Sequence, residues 1–166
     1  MTAQERAACY ADFRRALRPV ADRAADQGVS IGVEALNRYE TSVVNTVEQT
    51  LDMIDGLPAN VGLMLDTYHM NIEEADPYAA VAVAGPRIKH VQVSGTDRGA
   101  PGSDHFDWPR FFTALGATGY AGAVCIESFT AENETIATAA SIWRPLARSQ
   151  DALARDGLSF LRKVIH

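Results

Sequence analysis

Four apolar runs, each of strand length and each separated from the next by a stretch with helical spacing, constrain the fold of this chain more than any other feature. They are Val29–Ala35 (VSIGVEA), Asn60–Leu65 (NVGLML), Ile88–Val93 (IKHVQV) and Ala123–Ser128 (AVCIES). Between the first two, Thr41–Asp55 places Val44, Val47, Leu51 and Ile54 on one helical face, with Gly56 as a stop. Asp76-Pro77 is an N-cap followed by proline at the first helical position, and the short helix it starts stops at Gly85. Asp107 caps a helix to about Thr118, with Phe111, Phe112 and Leu115 inward. A looser helix is expected over Glu132–Ala147, and Asp151–Ile165 closes the chain on a stripe of Leu153, Leu158, Phe160, Leu161 and Val164. Residues 3–27 read as a helix ahead of the first run, kinked at Pro19 and stopped by Gly28. Nearly uniformly apolar strands alternating with helices predict an α/β fold with a parallel sheet covered by helices. No linker divides residues 1–166, so one domain is expected.

Each run meets an oxygen-bearing side chain where a strand would open into its loop: Val33-Glu34, Leu65-Asp66, Val91-Gln92 and Ile126-Glu127. Ligands in parallel α/β folds sit at the carboxyl ends of the strands, so these four side chains would converge. Carboxylates crowded together repel one another unless a cation is present. All-oxygen ligation favours Mg²⁺, Mn²⁺ or Co²⁺ over a zinc site built from Cys and His. An isolated acid at a strand end is ordinarily an N-cap or a solvated loop residue. Four in register on successive strands are not explained that way.

Composition removes several other classes. A net charge of −6 with no stripe of Lys and Arg argues against nucleic-acid and anionic-membrane surfaces. No apolar stretch approaches the roughly 20 residues of a membrane span. The two cysteines, Cys9 and Cys125, lack metal-finger spacing and leave a reducing cytoplasm as the expected compartment. Cys125, inside an apolar run, reads as a small core residue. The charged, helical N-terminus does not read as a signal peptide. Trp108, Phe111, Phe112 and Trp143 read as packing.

The segments GVEALNRYE (Gly32–Glu40), LMLDTYHMNIEE (Leu63–Glu74), HVQVSGTDRGAPG (His90–Gly102) and VCIESF (Val124–Phe129) resemble the C-terminal half of the xylose-isomerase-like (β/α)8 TIM barrels. The ketose 3-epimerases and hydroxypyruvate isomerase are the most similar branches. The resemblance implies one Mn²⁺, Mg²⁺ or Co²⁺ ion, a small sugar or hydroxy-ketone substrate, and proton movement between adjacent carbons of a ketose through a cis-enediolate. It also implies that Glu34 and Glu127 are metal ligands and the acid/base pair, that Asp66 is a ligand only, and that Glu40, His69 and Arg98 contact substrate hydroxyls. The third-strand ligand is His in the epimerases and Gln in hydroxypyruvate isomerase; Gln92 follows the latter. For His69, ligand, substrate donor and packed loop residue remain open, and Arg98 reads as a hydroxyl or anion binder or as a solvated loop arginine. His90 reads as an inner supporting residue.

A closed barrel of this kind needs eight strands, and four βα units are present. A fragment, a pairing with a second copy or a separate half, and an open half-barrel are the three explanations. Oligomerisation, or a need for the missing half, is expected because the first and last strands would otherwise be open apolar edges. Two further readings are a metal-dependent hydrolase like the apurinic endonucleases, which share an Asp-Thr-x-His element with Asp66–His69, and an inactive half-barrel.

Overall fold

The strands form where β-branched and apolar residues concentrate, and all four pair in parallel. They are β1 (Ile31–Glu34), β2 (Val61–Asp66), β3 (Ile88–Val93) and β4 (Val124–Ile126), in the spatial order β1-β2-β3-β4. This arrangement comes from a computed structural model that describes residues 1–165. Among the described residues seven α-helices connect and flank the strands: α1 (Ala3–Asp26), α2 (Val47–Met53), α3 (Thr67–Glu73), α4 (Pro77–Ala84), α5 (Trp108–Ala117), α6 (Glu134–Ala139) and α7 (Gln150–Val164). A sequential parallel order of this kind is one half of a barrel, with β1 and β4 as its edges.

The sheet has two unlike faces, because side chains alternate along each strand. Val61, Leu63, Leu65, Val91 and Val93 are buried under the helices, with Ile31, Val33, Val124 and Ile126 packed against them. The opposite face carries Gly32, Glu34, Met64, Asp66, His90, Gln92 and Cys125, aligned by the pairs Glu34–Met64, Met64–His90, Asp66–Gln92 and Gln92–Cys125. The strands are therefore not uniformly apolar: what lies between their aliphatic residues belongs to the barrel interior. Cys125 is exposed rather than in the core, since β4 is an edge and Cys125 faces that open side. At the foot of β2, a Cβ on Gly62 would collide with the Arg87 carbonyl oxygen, so glycine permits the approach of β3.

Local chemistry explains where the elements differ from the sequence expectations. α2 is shorter than Thr41–Asp55, because Thr46 is extended and caps it by accepting from the Gln49 N–H. Ahead of it, the Asn45 side-chain amide donates to the carbonyls of Leu36 (2.7 Å) and Thr41 (3.0 Å), which satisfies a loop rather than a helix. α6 covers only part of Glu132–Ala147; Ser141 turns left-handed at φ 55° and ends it. α3 was not expected at all, because β2 runs into it without a loop and Asp66 is both the last strand residue and the N-cap. Trp143 is 85% exposed and packs no core, whereas Trp108 and Phe111 are buried between α5 and the sheet.

Candidate active site

Glu34 ends β1, Asp66 ends β2, Gln92 is the penultimate residue of β3, and Glu127 follows β4, where its N–H still pairs with the Val93 carbonyl (3.0 Å). In register the donors climb diagonally: Glu34 aligns with Met64 rather than Asp66, and Gln92 with Cys125 rather than Glu127. Strand tilt in a barrel produces this stagger and brings the strand ends level.

Glu34, Glu40, His69, Arg98 and Glu127 line one cavity of about 500 Å³, walled by Tyr39, Tyr68, Phe129 and Ile136. Asp66 lies beneath it, its side chain fully buried, and Gln92 is not part of the wall. Asp66 Oδ1 accepts from the Tyr68 N–H (2.8 Å) and Oδ2 from Arg98 Nη1 (2.6 Å). The same Arg98 nitrogen lies 3.2 Å from a Glu127 carboxylate oxygen, so one guanidinium touches two of the carboxylates. Arg98 is thus a buried ion-paired residue and not a solvated loop arginine.

His69 is held by a residue that sequence reasoning passed over. The Asn37 backbone N–H points at His69 Nδ1 (3.2 Å), and the Asn37 side-chain amide lies 2.9 Å from the same atom. Asn37 Oδ1 accepts from the Tyr39 N–H (3.0 Å), which fixes the amide so that its NH₂ faces His69 and Glu40 Oε1 (2.7 Å). Nδ1 therefore accepts, and the ring hydrogen sits on Nε2, which faces Glu34 Oε1 at 3.5 Å and Asp66 Oδ2 at 3.8 Å. Arg98 Nη2, 3.3 Å from Nε2, is a neighbour of that N–H and not a donor to it. Glu34, Asp66 and His69 place candidate ligand atoms within 4.8 Å of one another, but a protonated Nε2 offers no lone pair to a cation. The available signal for Asn37 was local: an asparagine in a polar loop, the residue type that closes an Asx turn on the N–H two residues on, here that of Tyr39. Tyr68 and Phe129, which flank Arg98, carried no separate signal.

The electrostatics follow from burial and crowding. Burial first, then repulsion from Asp66 and Glu127, pushes Glu34 up to about 7. Glu127 is also raised, by burial and by a hydrogen bond with Asp66. Burial, helped by Arg98, pushes His69 down to about 4, so the ring is neutral. The donor set suits a hard cation: the Gln92 side-chain oxygen is buried with no hydrogen-bond partner, and it lies beside Asp66 on the inner face. A cation would claim that oxygen and relieve the repulsion among the carboxylates.

A half-barrel with carboxylates gathered at its strand ends belongs to a recognisable class. Residues 2–164 match the Xylose isomerase-like TIM barrel family, and the chain is a member of it. It is 42% identical over 153 residues to a probable ketose 3-epimerase of Synechocystis sp., covering 92% of this chain and 53% of that protein. It is 38% identical to the ketose 3-epimerase of Arthrobacter globiformis, covering 94% and 55%. A crystal structure of D-psicose 3-epimerase in the presence of D-fructose superimposes with a TM-score of 0.87 at 35% identity, covering 94% of this chain and 56% of the other. The chain therefore spans about half the length of these relatives. Among the described residues no helix is long and apolar enough to cross a membrane.

Proposed function

We propose that this chain carries the ion-binding and proton-transfer groups of a ketose 3-epimerase, working on a small ketose within a completed barrel. The observation that supports this most is the placement of two partly buried glutamates, at the ends of the opposite edge strands β1 and β4, on one cavity, with burial raising the pKa of both and that of Glu34 to about 7. An acid/base group works best when its pKa lies near the working pH. In this reading one glutamate removes the proton beside the ketose carbonyl and the other, protonated, returns one from the opposite side. A divalent cation (Mn²⁺, Mg²⁺ or Co²⁺), held by Glu34, Asp66, Gln92 and Glu127, would stabilise the negative charge of the cis-enediolate. His69, with hydrogen on Nε2, donates to a substrate oxygen, and Glu40, tethered by Asn37, accepts from a hydroxyl. The similarity to ketose 3-epimerases over more than nine-tenths of the chain supports the substrate class.

The hydrolase reading loses support at the same site. A cluster of zinc ions needs several nitrogen ligands, and among the described residues the ligand cluster holds one histidine, with its Nε2 protonated. The test is solvent-deuterium exchange at C3 of a ketose, measured in protein whose barrel is complete. Glu127→Gln should slow exchange by roughly 100- to 10,000-fold with the fold intact. Exchange at the parent rate would overturn the assignment.

A further inference from the structure

We propose that Arg98 is the built-in counter-ion of the carboxylate cluster and competes with a divalent cation for it, which holds the site's metal affinity down. This rests on the reading of Glu34, Asp66, Gln92 and Glu127 as the ion site.

The guanidinium is held at the cluster by what surrounds it. Arg98 is 6% exposed, and its side chain lies between the rings of Tyr68, 4.3 Å from the centroid, and Phe129, at 5.3 Å. Its backbone is fixed too: its N–H donates to the Gly95 carbonyl (2.9 Å), its own carbonyl accepts from the Phe129 N–H (3.0 Å), and its φ of 68° is left-handed. A residue other than glycine holds that conformation where its surroundings over-determine it. Arginine stays protonated at any working pH, so the charge is permanent.

Two of the four side chains a cation needs, Asp66 and Glu127, are ones Arg98 already holds. Asp66 has both carboxylate oxygens engaged, Oδ1 by the Tyr68 N–H and Oδ2 by Arg98. The Glu127 side chain and its main-chain carbonyl (3.3 Å) both face Arg98 Nη1. An entering dication must share Asp66 Oδ2 with a fixed positive group, and like charges at that range repel in a partly dry site. Three carboxylates and one guanidinium leave the ionised cluster at −2, the charge one dication cancels. With Arg98 absent the cluster would be −3: it would hold a dication more tightly and tolerate being metal-free less well. Coupling of this kind is reciprocal.

The experiment compares Mn²⁺ affinity by calorimetry, and melting temperature in chelator and in saturating Mn²⁺, for the full chain, Arg98→Gln and Arg98→Lys. Arg98→Gln should bind Mn²⁺ about tenfold or more tightly, melt lower in chelator, and show a larger Mn²⁺-induced rise than the parent. Arg98→Lys keeps the charge and should stay within about threefold of the parent affinity. If Arg98→Gln is unfolded in chelator, folding on addition of Mn²⁺ supports the proposal, and failure to fold in saturating Mn²⁺ overturns it. Parent binding with Arg98→Gln no tighter overturns the counter-ion role alone. No Mn²⁺ binding by the parent overturns the ion site itself and this inference with it.

Discussion

The two faces of one sheet do different work. Under the helices, Val61, Leu63, Leu65, Val91 and Val93 meet Phe111, Trp108 and Leu115, and side chains there are selected by volume. On the inner face the same strands present Glu34, Met64, Asp66, His90, Gln92 and Cys125, and those side chains carry charge, an orphan oxygen and exposed sulfur. One face lowers the free energy of folding; the other spends some of it to hold carboxylates where they repel. Fold and site can therefore be perturbed separately, although adjacent residues of one strand supply both.

The largest test of that separation sets Phe111 against Gln92. Phe111 is 0% exposed on the packed face, and Phe111→Ala should cost about 3–5 kcal/mol of unfolding free energy. Gln92 keeps an unpaired oxygen on the other face. Gln92→Leu replaces it with an apolar side chain of similar size, so chelated protein should melt at or slightly above the parent temperature while Mn²⁺ binding weakens. Denaturant melts with and without Mn²⁺ measure both quantities. A loss of more than about 2 kcal/mol for Gln92→Leu in chelator would show that the inner face also carries the fold.

A medium effect lies in pH, where two inner-face groups oppose one another in chelated protein. Glu34 has its folded pKa raised from 4.5 to about 7, so the folded state binds the extra proton and stability falls as pH rises through that interval. His69 has its folded pKa lowered from 6.5 to about 4, so the unfolded state binds the extra proton and stability falls as pH drops from 6.5 towards 4. In the overlap the slopes have opposite sign, so the parent should change less between pH 4.5 and 6.5 than a protein carrying only one of the two groups. Glu34→Gln should expose the acid-side loss, and His69→Gln the loss on going from pH 4.5 to 7. A common pH dependence in all three proteins would place the linkage elsewhere than this pair.

The sequence made the packed face legible because periodicity reports burial. The four strands, the Asp76-Pro77 start of α4 and the bounds of β3 match to within two or three residues. The parity of the inner face was available in Ile88–Val93, where Lys, His and Gln interrupt the aliphatic residues, and treating the strands as uniformly apolar concealed it. Cys125 reads as a core residue for the same reason: its neighbours Val124 and Ile126 pack on the helices, and a residue between them faces the other way. At the site, strand-end position revealed the oxygen donors, but hydrogen-bond partnership is a tertiary property. Nothing local shows that Asn37 sets the His69 tautomer across 32 residues, or that Arg98 reaches back the same distance to Asp66. α3 stayed hidden because Asp66 serves strand, cap and cluster at once, and its strand role masks the other two.

The smallest expected effect asks whether the inner face is covered in solution. Cys125 is exposed on β4, while Cys9 is half-buried on α1. Removing a thiol that packs against little should change stability by less than about 0.5 kcal/mol, so Cys125→Ser should be close to neutral in a denaturant melt. The informative quantity is reactivity. In native conditions a thiol reagent such as a maleimide should modify Cys125 before Cys9, since access to the thiolate governs the rate. If a second copy or a complementary half closes over the inner face, Cys125 should instead be protected, and protection should weaken on dilution as the assembly dissociates. Protection at every concentration, in protein that remains monomeric by light scattering, would mean the chain folds its own cover over β4. The contrast between a packed face and an open one would then be lost at the strand that defines it.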